Sequence, residues 1–471
     1  MKHTYADLGS AFSSPVQPQP LDNPELVSSN REVIEQLSLD SYSQEELTQL
    51  CNGSKPLNES SPVAMVYAGH QFGSWVSRLG DGRALLLGEL HGADGKLYDL
   101  HLKGAGLTPY SRSGDGRAVL RSTIREYLCS EALHHLGIPT TRSLCLINST
   151  TPVYREKTET GAAMIRVAES HVRFGTFEYF SYSKQHEQLQ ILADYVIWRH
   201  FPQWQDDESR VEKLLAEAVT RTAEMIALWQ AAGWCHGVMN TDNMSILGHT
   251  IDYGPFGFLD GFDAGHICNH SDWQGRYAFN RQPEIGYWNC AALTQALLPI
   301  LPAGQEKAEV ILKTYPKAFA SRYSSLLRAK FGLVTAQEND NKLIDPLFTH
   351  MQEEKTDYTV FFRALSQGNA EDVFIDRERF HAWHQKYQER LASEGRSEDE
   401  VRKGMLAANP KYILRNHLLQ IAIDKAESGD YNEVQRLLDI MKKPFDEQPE
   451  NESYAALPPE WAGELEISCS S

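Results

Sequence analysis

The stretch HGVMNTDNMSILGHTIDYG, residues 236–254, places Asp242 and Asn243 side by side and follows them with Asp252-Tyr253-Gly254. An Asn amide oxygen and an Asp carboxylate are hard donors of the kind Mg²⁺ takes when nucleotide phosphates fill the rest of its shell. Asp252 reads as the principal metal ligand with Asn243 beside it, and Asp242 as a general base in reach of an incoming hydroxyl. Counting back five residues from Asn243 gives Val238, which neither accepts a proton nor binds a metal. Alone, the string also fits an Asn/Asp-rich turn, so its meaning depends on what the rest of the chain sets around it.

In protein kinases a catalytic Asp stands five residues before the metal-binding Asn, the place Val238 fills here. The preceding sequence supplies other parts of such a site. ALLLGEL (84–90) and LYDLHLKG (97–104) are strand-like runs joined by the turn residues HGADGK, which predicts a hairpin ending at Lys103. A helix follows in TIREYLCSEALHHLG, with Ile124, Leu128, Ala132 and Leu136 every four residues and Gly137 and Pro139 as its stop. It carries Glu126, placed to hold the Lys103 ammonium against nucleotide phosphates; Thr123-Ile-Arg-Glu126 also fits a helix capping box.

GDGR occurs twice, at 80–83 and 114–117, flanking the Lys103 strand. Glycines let backbone N–H groups approach phosphates and Arg adds a bidentate charge, although a lone Gly-x-Gly usually marks only a turn. Arg166 interrupts an apolar strand, where a charge is costly without an anion or carboxylate beside it, and Arg173 follows closely.

The organisation around these residues predicts an α+β chain. Residues 1–60 read as an extension with one helix near NREVIEQL. Residues 61–186 are strand-rich with one prominent helix, and 187–445 turn helical, opening with a long helix that buries Val211, Leu214, Leu215, Ala218 and Trp229. Residues 446–471 form an irregular acidic tail. The 45 Lys and Arg against 63 Asp and Glu, a formal charge of −18, argue against general nucleic-acid binding. No secretory leader or apolar run of membrane-spanning length is visible, which predicts a cytoplasmic protein. The seven dispersed cysteines contain no CxxC pair, arguing against zinc and for reduced, buried thiols, with Cys469 in ISCSS as the exception.

Four long strings resemble the selenoprotein O family, including its bacterial YdiU-type members. They are YAGHQFGSWVSRLGDGRALLLGEL (67–90), DLHLKGAGLTPYSRSGDGRAVLRSTIREYLCSEALHHLGIPTTRSL (99–144), RVAESHVRFGTFEYF (166–180) and HGVMNTDNMSILGHTIDYGPFGFLD (236–260); the CSS ending matches as well. The resemblance implies a protein-kinase-like two-lobed fold with an N-terminal extension and extra C-terminal helices, lacking the usual catalytic Asp. It implies transfer of AMP from ATP, or UMP from UTP, to Ser, Thr or Tyr hydroxyls of proteins with release of pyrophosphate, aided by Mg²⁺ or Mn²⁺. Gly80, Gly82, Arg83, Lys103, Asp115, Gly116, Arg166, Arg173 and Asp252 would hold the nucleotide, Asn243 and Asp252 the metal, Glu126 would orient Lys103, and Asp242 would be the base. In selenoprotein members selenocysteine stands where Cys469 stands here, and Cys268 is the candidate partner for a redox disulfide. A monomer is the default expectation. The competing readings are an atypical kinase and a non-catalytic pseudokinase scaffold.

Overall fold

The structure, a computed structural model, describes residues 3–55 and 61–468. Its first ten strands, in chain order, are β1 (Ser13–Pro15), β2 (Glu25–Ser29), β3 (Val63–Met65), the separate short hairpin β4 (Gly69–Gln71) and β5 (Ser74–Val76), β6 (Ala84–His91), β7 (Leu97–Lys103), β8 (Ala118–Val119), β9 (Arg142–Tyr154) and β10 (Thr158–Ala168). All but the hairpin form one antiparallel sheet in the order β1–β3–β6–β7–β10–β9–β2, with β8 against β10. The fold is therefore mixed α/β, an antiparallel sheet followed by many helices.

The expected hairpin over 84–103 is present, and Lys103 ends β7 opposite Ala84 on one side and Met164 on the other. Side chains directly opposite on an antiparallel pair share a face, so Lys103 and Arg166, paired opposite His101, are diagonal neighbours on one face. The run CLINSTTPVY (145–154) lies within a single long strand, β9. The first 60 residues contribute more than one helix: β1 and β2 are strands of the sheet, and α1 (Arg31–Gln36) and α2 (Gln44–Cys51) pack on β9. Strands of three to five residues are too short to display a period in the sequence.

Helix α3 (Leu120–His135) lies against β9 and β10 and carries Glu126. Its start corrects one reading. The helix begins directly after β8, with Val119 at the N-cap, and the Thr123 hydroxyl donates to the Val119 carbonyl at 2.6 Å, as a residue inside the first turn does. Thr123 and Glu126 therefore form no capping box. Helices α4 (Phe174–Tyr182), α5 (His186–His200), α6 (Arg210–Ala232) and α7 (Gln282–Leu297) follow, α6 stopping at Gly233 in the left-handed region. The last two helices, Asn416–Glu427 and Asn432–Met441, return to pack on α3. Among the described residues no helix is long and apolar enough to cross a membrane.

A second core, rich in aromatic residues, gathers Phe331, Phe361, Phe362, Phe374, Trp383 and Tyr387. Beside it the Lys330 ammonium lies 4.2 Å from the Phe362 ring centre and 5.3 Å from that of Tyr358. Burial pulls this amine down to about 7. Between pH 7 and the ordinary lysine range the unfolded chain then binds more protons than the folded one, so this group's contribution to stability rises with pH. Each pH unit is worth about 1.4 kcal/mol, partly offset by cation–π attraction. We expect Lys330→Met to raise stability at pH 7 by on the order of 2 kcal/mol, with the advantage shrinking by pH 9. Urea unfolding at the two pH values measures both, and a variant less stable than wild type at pH 7 would refute it.

Candidate active site

Twelve residues singled out in the sequence line one cleft of about 480 Å³: Gly80, Gly82, Arg83, Lys103, Asp115, Gly116, Glu126, Arg166, Arg173, Asp242, Asn243 and Asp252. Val238 lines it too. At its centre runs a chain of buried charges. Lys103 on β7 pairs with Glu126 on α3, and Glu126 also pairs with Arg166 on β10. Arg166 Nη2 reaches Asp252 Oδ1 at 2.6 Å, and the other Asp252 oxygen accepts from Arg173. Three cations thus face two carboxylates, leaving one net positive charge before any ligand enters.

Burial opposes every charge in this chain, and the neighbours decide the outcome. Desolvation pulls Lys103 down to about 8, against the attraction of Glu126. Burial pushes the Glu126 carboxyl up, yet Arg166 and then Lys103 outweigh it and hold Glu126 at about 2. Asp252 is held well below the carboxylate range, because Arg166 and Arg173 together overcome its burial. Its backbone sits at φ 55°, in the left-handed region that Asp tolerates better than most residues. Arg173 is further fixed by the Tyr67 ring, 4.7 Å from the guanidinium carbon, and by the Asp242 carbonyl, to which it donates at 2.8 Å.

Asp242 behaves differently. Burial pushes its carboxyl up to about 7, opposed by a hydrogen bond from Gln71 and by Arg173. Gln71 Nε2 donates to Asp242 Oδ2 at 3.2 Å, while Oδ1 is buried without a partner. One face of this carboxylate therefore remains to accept a proton. Asn243 donates its amide nitrogen to the Val238 carbonyl at 3.0 Å, which leaves its amide oxygen as the coordinating atom. Asp252 spends one lone pair per oxygen on the two arginines and keeps the others. Asn243 Oδ1 with the remaining Asp252 positions is a donor set that fits Mg²⁺ or Mn²⁺ completed by phosphates.

The two GDGR copies do not repeat in structure. In the first, Gly80 has positive φ and Asp81 is buried, accepting from the Met65 N–H at 3.0 Å and pairing with His101. In the second, Gly116 has positive φ, and an added Cβ would lie 2.1 Å from the Gly106 carbonyl oxygen. Asp115 is exposed at the rim, where Arg155 grips it at 2.7 and 3.0 Å. Arg83 and Arg112 are exposed at the mouth, and Arg117 donates to the Gln19 carbonyl at 2.6 Å. Sequence reasoning missed Tyr67, Gln71, Asp81, Arg112 and Arg155. Of these, all but Arg155 lay within matched family strings, and that was the available signal.

The six described cysteines are all buried and free. Cys268 is among them, its Sγ 3.7 Å from the Cys235 carbonyl oxygen, and it does not line the cleft. Cys469 lies outside the described residues.

A family model described as "Protein adenylyltransferase SelO" matches residues 1–442. The chain belongs to the SelO family. A protein nucleotidyltransferase YdiU of Myxococcus xanthus is 52% identical over 480 residues, covering 100% of this chain and 98% of that protein. Proteins of the same description from Vibrio parahaemolyticus and Herminiimonas arsenicoxydans are 51% and 50% identical, each across 100% of this chain and 98% and 97% of their own lengths. The strings that carried the resemblance thus belong to a full-length relationship within the SelO family.

Proposed function

We propose that this chain is a protein nucleotidyltransferase that moves AMP from ATP, or UMP from UTP, onto Ser, Thr or Tyr hydroxyls of protein substrates and releases pyrophosphate. The observation that carries the reading is the cationic chain Lys103–Glu126–Arg166–Asp252–Arg173 in the cleft beside a buried Asp242 with one open carboxylate oxygen. Family membership supports it. The substrate hydroxyl oxygen attacks the α-phosphorus and its proton passes to Asp242, while the bond from that phosphorus to the bridging oxygen breaks and pyrophosphate departs. Charge on the leaving group is stabilised by preorganised Lys103, Arg166 and Arg173, with Arg83 at the mouth. Asn243 and Asp252 would hold Mg²⁺ or Mn²⁺, which when bound neutralises phosphate charge.

The scaffold is proposed to be kinase-like and two-lobed, with residues 61–186 as the strand-rich lobe, 187–445 as the helical lobe, and 1–60 and 446–471 as flanking segments. The protein acts as a monomer in the cytoplasm. A Cys268–Cys469 disulfide would tie the tail beside the site. The Ile467 carbonyl already accepts from the His270 N–H at 2.7 Å, two residues from Cys268.

Incubation of the purified protein and a protein acceptor with Mn²⁺ and either α-³²P-ATP or γ-³²P-ATP tests the reaction. Label is expected from the α position alone, reduced by about 10²–10⁴-fold in Asp242→Asn, the usual range for a general base. Label from the γ position would make this a kinase. No label from either would make it a scaffold.

A further inference from the structure

The hairpin β4–β5 does two things at once. Toward the cleft, Gln71 bonds the Asp242 carboxylate, and the His70 N–H donates to Thr241 Oγ1 at 2.7 Å. Toward solvent, Phe72 and Trp75 are 40% and 38% exposed, large apolar rings beside a catalytic carboxylate. Tyr182, 45% exposed, extends this surface, its ring 4.5 Å from that of Trp75.

An arginine completes the patch. The Arg276 guanidinium lies 4.9 Å from the Trp288 ring centre and 5.8 Å from that of Tyr277; Asp272, which accepts from the Arg276 backbone N–H, feels its charge, but no carboxylate among the described residues forms an ion pair with it within 4.0 Å. Its Nε is buried without a partner. Gly73, at φ +82°, leaves the room: a Cβ there would sit 3.2 Å from the Arg276 guanidinium carbon. Tyr277 ties both halves to the reacting group, its ring tilted against that of Phe72 at 5.1 Å and its hydroxyl donating to Asn240 Oδ1 at 2.7 Å, two residues before Asp242.

We propose that this face seats the acceptor: an extended protein segment that presents its hydroxyl to Asp242, lays an apolar or aromatic side chain on Phe72 and Trp75, and offers an acidic side chain to Arg276. The proposal rests on the nucleotidyl-transfer reading above. Continuity with Asp242 selects the acceptor as the occupant, since whatever carries the hydroxyl must cross the hairpin tip. An unpaired guanidinium held between rings selects a carboxylate. At about 3.3 Å per extended residue, both recognition positions fall within roughly four residues of the hydroxyl.

The test uses an array of synthetic peptides, each with one Ser, Thr or Tyr and singly varied flanking positions, labelled with α-³²P-ATP. Wild type is expected to favour Phe, Leu or Trp, and Asp or Glu, over Ala by about tenfold at those positions. Phe72→Ala with Trp75→Ala should erase the apolar preference, Trp75→Phe alone should keep it, and Arg276→Gln should erase the acidic one. ATP affinity by calorimetry should stay within about twofold in each. Unselective labelling, preferences unchanged in the variants, or unlabelled peptides beside labelled intact proteins would each overturn the docking proposal. If wild type transfers α-label to nothing, the parent reading has failed instead. Should the double variant lose ATP binding, the Arg276→Gln arm decides.

Discussion

Asp252→Ala is expected to abolish α-label transfer, by at least about a thousandfold, because it removes the proposed metal ligand and the hub of the charge chain together. The same change leaves Arg166 and Arg173 buried without their shared carboxylate, at a cost of about 3 kcal/mol in stability. It also raises the net charge of the cluster from +1 to +2, so ATP affinity measured in EDTA should rise rather than fall. Asp252→Asn keeps the shape and an oxygen donor but not the charge. It should be equally inactive while unfolding at a denaturant concentration between those of wild type and the alanine variant. Urea titration and calorimetry read these two effects separately from the radiolabel. An Asp252→Ala protein that still transfers AMP would remove this residue from the mechanism.

Gly175→Ala is expected to be nearly as damaging, although the residue carries no chemistry. A Cβ at Gly175 would fall 2.0 Å from the Ala68 carbonyl oxygen and 3.2 Å from the Asp242 Cα. The Ala68 side cannot yield cheaply, since the Ala68 N–H donates to the Gly175 carbonyl at 3.0 Å and the next residue begins the hairpin. Helix α4 cannot retreat either, because the Phe174 N–H donates to the Met244 carbonyl at 2.8 Å. Overpacking against backbone of this kind costs about 1–3 kcal/mol, and here it would push the hairpin and its Gln71 off Asp242. Transfer should fall about a hundredfold, as misplacement by about 1 Å does, while ATP binding at Lys103 and Arg83 persists. Loss of ATP binding in parallel would show that the substitution unfolds the cleft as a whole.

The central charges were legible because each sat in a context that made it expensive elsewhere. Arg166 in an apolar strand and Lys103 at the end of a hairpin both called for an anion, and Glu126 answers both. The capping-box alternative for Glu126 was reasonable from four letters and wrong in space, since β8 runs straight into α3 without a side-chain cap. Gln71 had no such local signal. It reaches Asp242 across 171 residues of chain from a hairpin too short to show a period. Both copies of the duplicated GDGR line the cleft, but identical letters took different backbone conformations once Asp81 found His101 and Asp115 found Arg155.

The return of the last two helices to α3 has a consequence for how the site is controlled. Arg125, next to Glu126, donates to the Gly254 and Phe256 carbonyls and, at 3.1 Å, to Asn416 Oδ1, the first residue of the returning helix Asn416–Glu427. On the far side α3 rests on β9 and β10. A helix gripped from both sides has no room to swing outward, and the Lys103–Glu126 pair it carries is made in the resting molecule. The Lys103–Glu126 pair is therefore assembled before any ligand enters, held from one side by the sheet and from the other by a helix that arrives 291 residues later in the chain.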